Sequence, residues 1–210
     1  MNMNSRERFP KKMKEIGMQY LSVGYGERFF QWMLNDECEP YGGNANGSAM
    51  RVSPTAWAVD TLEAVERLAR WSAEVTHNHP EGIKGAQAVA AAIFLARTGL
   101  DKEEIREYIE RKYYDLDFTV EGIRPGYVFD MSCEGSVPQA IVCFLDSVSF
   151  EDAIRNAVSL GGDGDTLACI AGAIAEAFYG IPNELQEEVF DYIDDTLQDY
   201  YWLYADQLYC

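Results

Sequence analysis

The sequence has no uninterrupted apolar run approaching the ~18 residues that span a bilayer, so no transmembrane helix is expected. Positive charge is scarce: 17 Lys and Arg stand against 35 Asp and Glu, a net charge of −18. Such a surface repels a phosphate backbone, which excludes nucleic acid as an expected partner. A small phosphorylated ligand remains compatible, because backbone N–H groups or a metal can hold it locally. The five cysteines, Cys38, Cys133, Cys143, Cys169 and Cys210, are odd in number and contain no CxxC pair. This excludes a disulfide framework or cysteine zinc site as the expectation and favours reduced thiols. The opening stretch Met1 to Pro10 lacks the apolar core of a secretory leader, and with the thiols this predicts a cytoplasmic protein. Alternating strands, internal repeats and low-complexity linkers are also lacking.

What is present reads as a string of helices. Ser53-Pro54 predicts a helix start, with Val59, Leu62, Val65 and Leu68 at helical spacing up to Trp71. An Ala-rich helix is predicted from Pro80 to Arg97, and its small residues suit the centre of a bundle. Asp101 and Glu104 form a D-x-x-E start for a helix ending near Tyr114. Further helices are predicted over 137–147, from Ser149 onward, over 166–179 with Gly180 as C-cap, and from Asn183 to about Tyr200. Cys143 and Cys169 fall in apolar helical runs and are expected in the core. The composition is 48% hydrophobic over 210 residues, enough for one sizeable core, so a single all-α domain over residues 1–210 is expected.

Four loops could carry chemistry. Tyr41-Gly-Gly-Asn-Ala-Asn-Gly-Ser-Ala-Met-Arg51 cannot be a helix interior. Its glycines let backbone approach a ligand, although a turn before a Pro-started helix would look the same. His77 and His79, two apart at a helix start, are poorly spaced for one metal and suit hydrogen bonding or ligand orientation, or a tie between loop and helix. Ser132 to Gln139 is a Gly/Ser loop leading into an apolar helix. Gly161-Gly-Asp-Gly-Asp-Thr166 places two carboxylates and a hydroxyl before an apolar helix. These are hard oxygen donors suited to Mg²⁺, Mn²⁺ or Ca²⁺. A helix cap accounts for one aspartate but not for both.

GGDGDT followed by LACIAGAIAEAFYG resembles the C-terminal signature of the ADP-ribosylglycohydrolase family, whose usual form is GGDTDT. GNANGSAMRVSP, THNHPEGIKGAQAVA and SCEGSVPQAIVCFLDSVSFEDAIRNAVS resemble further blocks of that family in the same order. The resemblance implies a compact all-α bundle with a binuclear Mg²⁺ or Mn²⁺ cleft that cleaves the glycosidic bond between ADP-ribose and an acceptor. It implies metal ligation by Asp163, Asp165 and Thr166. It implies an ADP-ribose cleft lined by Asn46, Gly47, Ser48, Ala49 and Met50, with His77 and Ser136 on the same cleft.

The family's earlier Thr-Asp-Asp-Thr motif, which carries its other metal ligands, does not occur here. Ile193-Asp194-Asp195-Thr196 is only superficially close and reads as a solvated acidic face. The expectation is therefore an N-terminally truncated bundle with at most a partial metal site. Such a chain would be inactive alone or dependent on a separately encoded N-terminal segment, or it would bind ADP-ribose or a related nucleotide without turnover, or serve as an interaction protein. Truncation of a bundle should leave apolar surface to cover, so a homo-oligomer is expected.

Overall fold

The computed structural model describes residues 3–209 and the side chains from Arg8 to Asp206; Cys210 lies outside the described residues. The helices in chain order are α1 (Met3–Gly17), α2 (Glu27–Leu34), α3 (Gly47–Met50), α4 (Ser53–Trp57), α5 (Leu62–Glu74), α6 (Pro80–Arg97) and α7 (Lys102–Lys112). They continue as α8 (Val120–Ile123), α9 (Cys133–Leu145), α10 (Phe150–Ser159), α11 (Gly164–Tyr179), α12 (Asn183–Phe190) and α13 (Asp195–Tyr209). Among the described residues the only strand-like pairing is one antiparallel bridge, Ala45 with Ser132. No helix among them is long and apolar enough to cross a membrane.

Helix α6 is the axis of the fold. Its run of alanines is apolar around its whole circumference, and residues 88–96 are all buried. A helix of that kind belongs inside others. Helices α3, α4, α5, α9 and α11 pack on it, and α10 closes over α9 and α11. Close approach depends on glycine. A side chain on Gly85 would lie 2.6 Å from Cys133 Sγ and 2.8 Å from its Cβ, so α6 and α9 meet there. One on Gly172 would lie 2.7 Å from Ile154 Cδ1, where α11 meets α10.

Local chemistry sets the helix ends. Asp101 and Glu104 form a full capping box, with both side-chain bonds at 2.9 Å. Ser149 caps α10 through Asp152 N, and Gly180, at φ 75°, ends α11. Three boundaries differ from the sequence expectation. The helix expected from Ser53 to Trp71 breaks after Trp57, because Thr61 accepts from Ala64 N and starts α5. The single C-terminal helix breaks after Phe190, because Asp194 accepts from Leu197 N. Ser132 to Gln139 is not a loop: Ser132 caps α9 by accepting from Gly135 N, so Ser136 lies in the first turns of a helix. Cys143 is in the core as expected, whereas Cys169 is exposed.

Replacing Gly85 with alanine gains helix propensity but forces α6 from α9. Because the Cys133 Cβ cannot swing away, overpacking wins, and a loss of about 1–3 kcal/mol is expected in urea denaturation.

Candidate functional site

Three segments distant in sequence are laced together around Asn46. The loop before α3 is paired to the start of α9: Asn46 N donates to Met131 O at 2.7 Å, and Cys133 N donates to Asn44 O at 2.9 Å. The Asn46 side chain is buried, and its amide makes two bonds. Nδ2 donates to Ser136 Oγ at 3.0 Å and to Asp163 Oδ2 at 2.6 Å. Ser136 Oγ in turn lies 2.9 Å from Asp130 O and 2.8 Å from Ser132 O, so its own proton goes to a carbonyl. The donor inventory of the amide is thereby filled.

The two glycines before Asp163 have a steric reason. Gly161 and Gly162 sit at φ 72° and 62°, a region strained for other residues. A side chain on Gly162 would also lie 2.8 Å from the Tyr127 ring, which is itself fixed by a bond from its hydroxyl to Gly135 O at 2.9 Å. The turn delivers Asp163 to the N-cap of α11, but its side chain makes no capping bond. Asp165 is exposed, and its Oδ1 accepts from Thr166 N at 2.8 Å. Burial, a hydrogen bond with Asp165 and the charge of Asp165 push the Asp163 carboxyl up, while the Asn46 amide opposes them.

The loop Asn46 to Met50 faces two ways. Asn46 and Met50 face α11: Thr166 Oγ1 lies 3.7 Å from Met50 Sδ, and Cys169 Sγ donates to Met50 O at 3.2 Å. Ser48 and Ala49 face inward, and Ser48 Oγ donates to Gly82 O at 2.7 Å, anchoring the loop to α6. The half-buried Gly47 leaves room for the His77 ring, since a side chain there would lie 3.4 Å from Nε2.

His77 braces the loop from beneath. Its Nδ1 lies 2.7 Å from Thr76 Oγ1, and Arg51 donates to that same oxygen at 2.8 Å. The Thr76 hydroxyl, with one proton and two lone pairs, can accept from Arg51 and still meet Nδ1 as donor or acceptor, so it serves either neutral tautomer of the ring. Burial first, then the charges of Arg51 and Arg28, push His77 down to about 4, so it is neutral at neutral pH. His79 has a different task, accepting from Glu81 N as the cap of α6.

Sequence reasoning missed Arg51 and Tyr127. Arg51 ties α3 to the end of α5 through Ser72 O at 2.7 Å and Thr76, and burial pushes it down to about 10. A lone cation after the small residues of GSAM is the signal it left. Tyr127 left none beyond its aromatic character. Among the described residues no group of three or more His, Cys, Asp or Glu is placed to hold a metal ion. Asp163, Asp165 and Thr166 thus match a hard divalent cation in kind of donor but not in number. Surface cavities of about 580 and 790 Å³ lie elsewhere, one beside Phe9 and Trp71, the other between α10 and α12.

The profile of the ADP-ribosylglycohydrolase family matches residues 15–209. The chain is similar to ADP-ribosylhydrolase ARH3 of Homo sapiens, with 31% identity over 80% of this chain and 64% of the relative. It is 33% identical to ADP-ribosylarginine hydrolase Tri1 of Pseudomonas putida over 69% of this chain and 42% of the relative. It is 29% identical to ADP-ribosyl-[dinitrogen reductase] glycohydrolase of Rhodospirillum rubrum over 68% of this chain and 49% of the relative. The chain thus spans between 42% and 64% of the length of these curated relatives. A solved structure described as an ADP-ribosylglycohydrolase-related protein complex superposes with a TM-score of 0.66 and 26% identity, covering 82% of this chain and 66% of that one.

The His77 environment carries a pH signature. The unfolded chain takes up a proton near 6.5, the folded one only near 4, so stability is full above 6.5 and falls as pH drops towards 4. The loss amounts to about 3 kcal/mol for a shift of this size. Thermal denaturation across that window should show a shallower slope for His77→Gln than for the wild type. Parallel slopes would mean that His77 is not held neutral.

Proposed function

Because the chain belongs to the ADP-ribosylglycohydrolase family, we propose that it binds ADP-ribose, or an ADP-ribosylated acceptor, at the Asn46–Asp163 cluster. It would there serve hydrolysis of the N- or O-glycosidic bond between ADP-ribose and the acceptor. The observation that carries this reading is the convergence of Asn46, Ser136 and Asp163, from three distant segments, beside the exposed Asp165 and Met50.

In this reading Asn46 engages one oxygen of Asp163 and so orients the carboxylate. The Asp163 and Asp165 carboxylates and the Thr166 hydroxyl, which here contact one another and Met50 Sδ, would turn to ligand hydroxyls or a cation. Mg²⁺ or Mn²⁺ is the proposed cation. The charge of Asp165 raises the cost of ionising Asp163, which a divalent ion relieves. When bound, such an ion orients a diol and activates a water. The three side chains do not complete a coordination sphere, so ligand oxygens, water and a further segment, possessed by this protein or supplied by a separately encoded chain, would supply the rest. His77, Ser48 and Ala49 act from behind, keeping the loop in place, while Gly47 admits the histidine ring. A cytoplasmic setting and a homo-oligomer are part of the reading. The exposure of Met18, Leu21, Val23 and Leu34 supports self-association.

A second reading is a protein that binds ADP-ribose without turnover. It is favoured by the shortage of carboxylate, His or Cys donors around Asp163 among the described residues.

Titration calorimetry of ADP-ribose, with and without Mg²⁺ or Mn²⁺, tests binding. Metal-dependent heat, lost or weakened at least about tenfold in Asp163→Ala/Asp165→Ala, is expected from removing charged first ligands. Equal binding by wild type and variant would overturn the site. Release of ADP-ribose from an ADP-ribosylated protein then separates hydrolase from binder.

A further inference from the structure

Helices α10 and α12 leave a groove of about 790 Å³ between them. Phe150, Ile154 and Val158 line one wall, and Leu185, Val189 and Tyr192 line the other. Four-residue spacing places the first triplet on one face of α10 and Leu185 with Val189 on one face of α12, while Tyr192 follows in the turn after it. Val158, Val189 and Tyr192 are 58%, 54% and 81% exposed. Helix α12 buries none of its eight residues. So short a helix is not held by its own hydrogen bonds, and an uncovered apolar stripe asks for a partner.

Charge decides what that partner is. Residues 181–210 hold eight carboxylates and no Lys, Arg or His. At the groove itself the Arg155 guanidinium is already paired with Glu151 at 2.5 Å, leaving Glu188 on the opposite wall. The same face of a second copy would bring like charge against like and is disfavoured. An amphipathic helix with cations beside its apolar stripe fits, in the manner of helix-in-groove recognition.

The chain contains such a helix. Residues 1–17 carry five Lys or Arg against two Glu, the reverse of the balance elsewhere. On α1, Phe9, Met13 and Ile16 share one face, and Phe9 is 40% exposed. Lys14 is engaged with the carbonyls of Asn35 and Glu37 and the exposed Lys12 with Glu15 at 2.7 Å, while Arg8 and Lys11 are exposed. The Tyr20 hydroxyl donates to Asp194 at 2.9 Å, which sets the end of α1 beside the α12–α13 corner. Basic helix and acidic groove therefore approach one corner of the molecule, where a two-fold axis can satisfy two equal contacts at once.

We propose that the α10–α12 groove is the docking site for helix α1 of a second copy of this chain, forming a two-fold dimer. The dimer rests on the self-association reading alone and needs neither metal nor ADP-ribose, so calorimetry and mass measurement fail independently.

Light scattering of the full chain at micromolar concentration tests it. The wild type should show the mass of two chains. Lys11→Glu/Lys12→Glu should weaken the dimer about tenfold or more through like-charge contact, and Val189→Asp should do the same through the apolar wall. Adding Glu187→Lys/Glu188→Lys to the lysine variant should restore the dimer. Unchanged helicity by circular dichroism checks that each variant folds. A one-chain mass for the wild type would overturn the proposal, as would a two-chain mass insensitive to both variants.

Discussion

The carboxamide of Asn46 sits where three segments meet, and its two N–H bonds decide where Asp163 and Ser136 stand. The group is buried, so leaving either partner unmet would cost about 1–3 kcal/mol. Its own backbone is clamped as well, since Asn46 N is committed to Met131 O and the neighbouring residues form the Ala45–Ser132 bridge. The segments around residues 46, 132 and 163 are thus joined by hydrogen bonds through this one residue and its neighbours. A carboxylate held in this way has one of its oxygens pre-oriented before any ligand arrives.

That junction depends on the packing beneath it. Helix α6 carries no side chain larger than alanine at Gly82 and Gly85, and both positions are in use. A side chain on Gly82 would lie 2.6 Å from Gly43 O, and Gly85 admits Cys133. Ser48 then reaches the Gly82 carbonyl, and His77 fills the space under Gly43 and Gly47. The small residues that make α6 a central helix also let the loops lie close enough for Asn46 to span them. Core packing and site geometry are here one constraint.

Much of the fold was legible because caps are local. Asp101 with Glu104, Ser149 and Gly180 each mark an end by chemistry within four residues. The breaks at Thr61 and Asp194 were hidden, because apolar spacing runs straight through both. Only a side-chain bond to a backbone N–H three residues on shows that a new helix starts. Gly135 reads as a loop residue, yet it lies in α9. The glycine is there because any side chain would strike the Asp130 carboxylate. The DGDT turn was legible through its paired carboxylates and glycine lead. That Asn46 reaches Asp163 was not, because the two are 117 positions apart. Nor does spacing show that Ser48 and Ala49 turn inward while Met50 turns out.

A double-mutant cycle between Asn46→Ala and Asp163→Ala, read by urea denaturation, addresses the junction most directly. Removing either partner of a buried, direct contact should leave less for the other to lose, with a coupling of about 1–3 kcal/mol. Additivity within about 0.5 kcal/mol would contradict the account, because Asn46 would then not be what holds Asp163 in place.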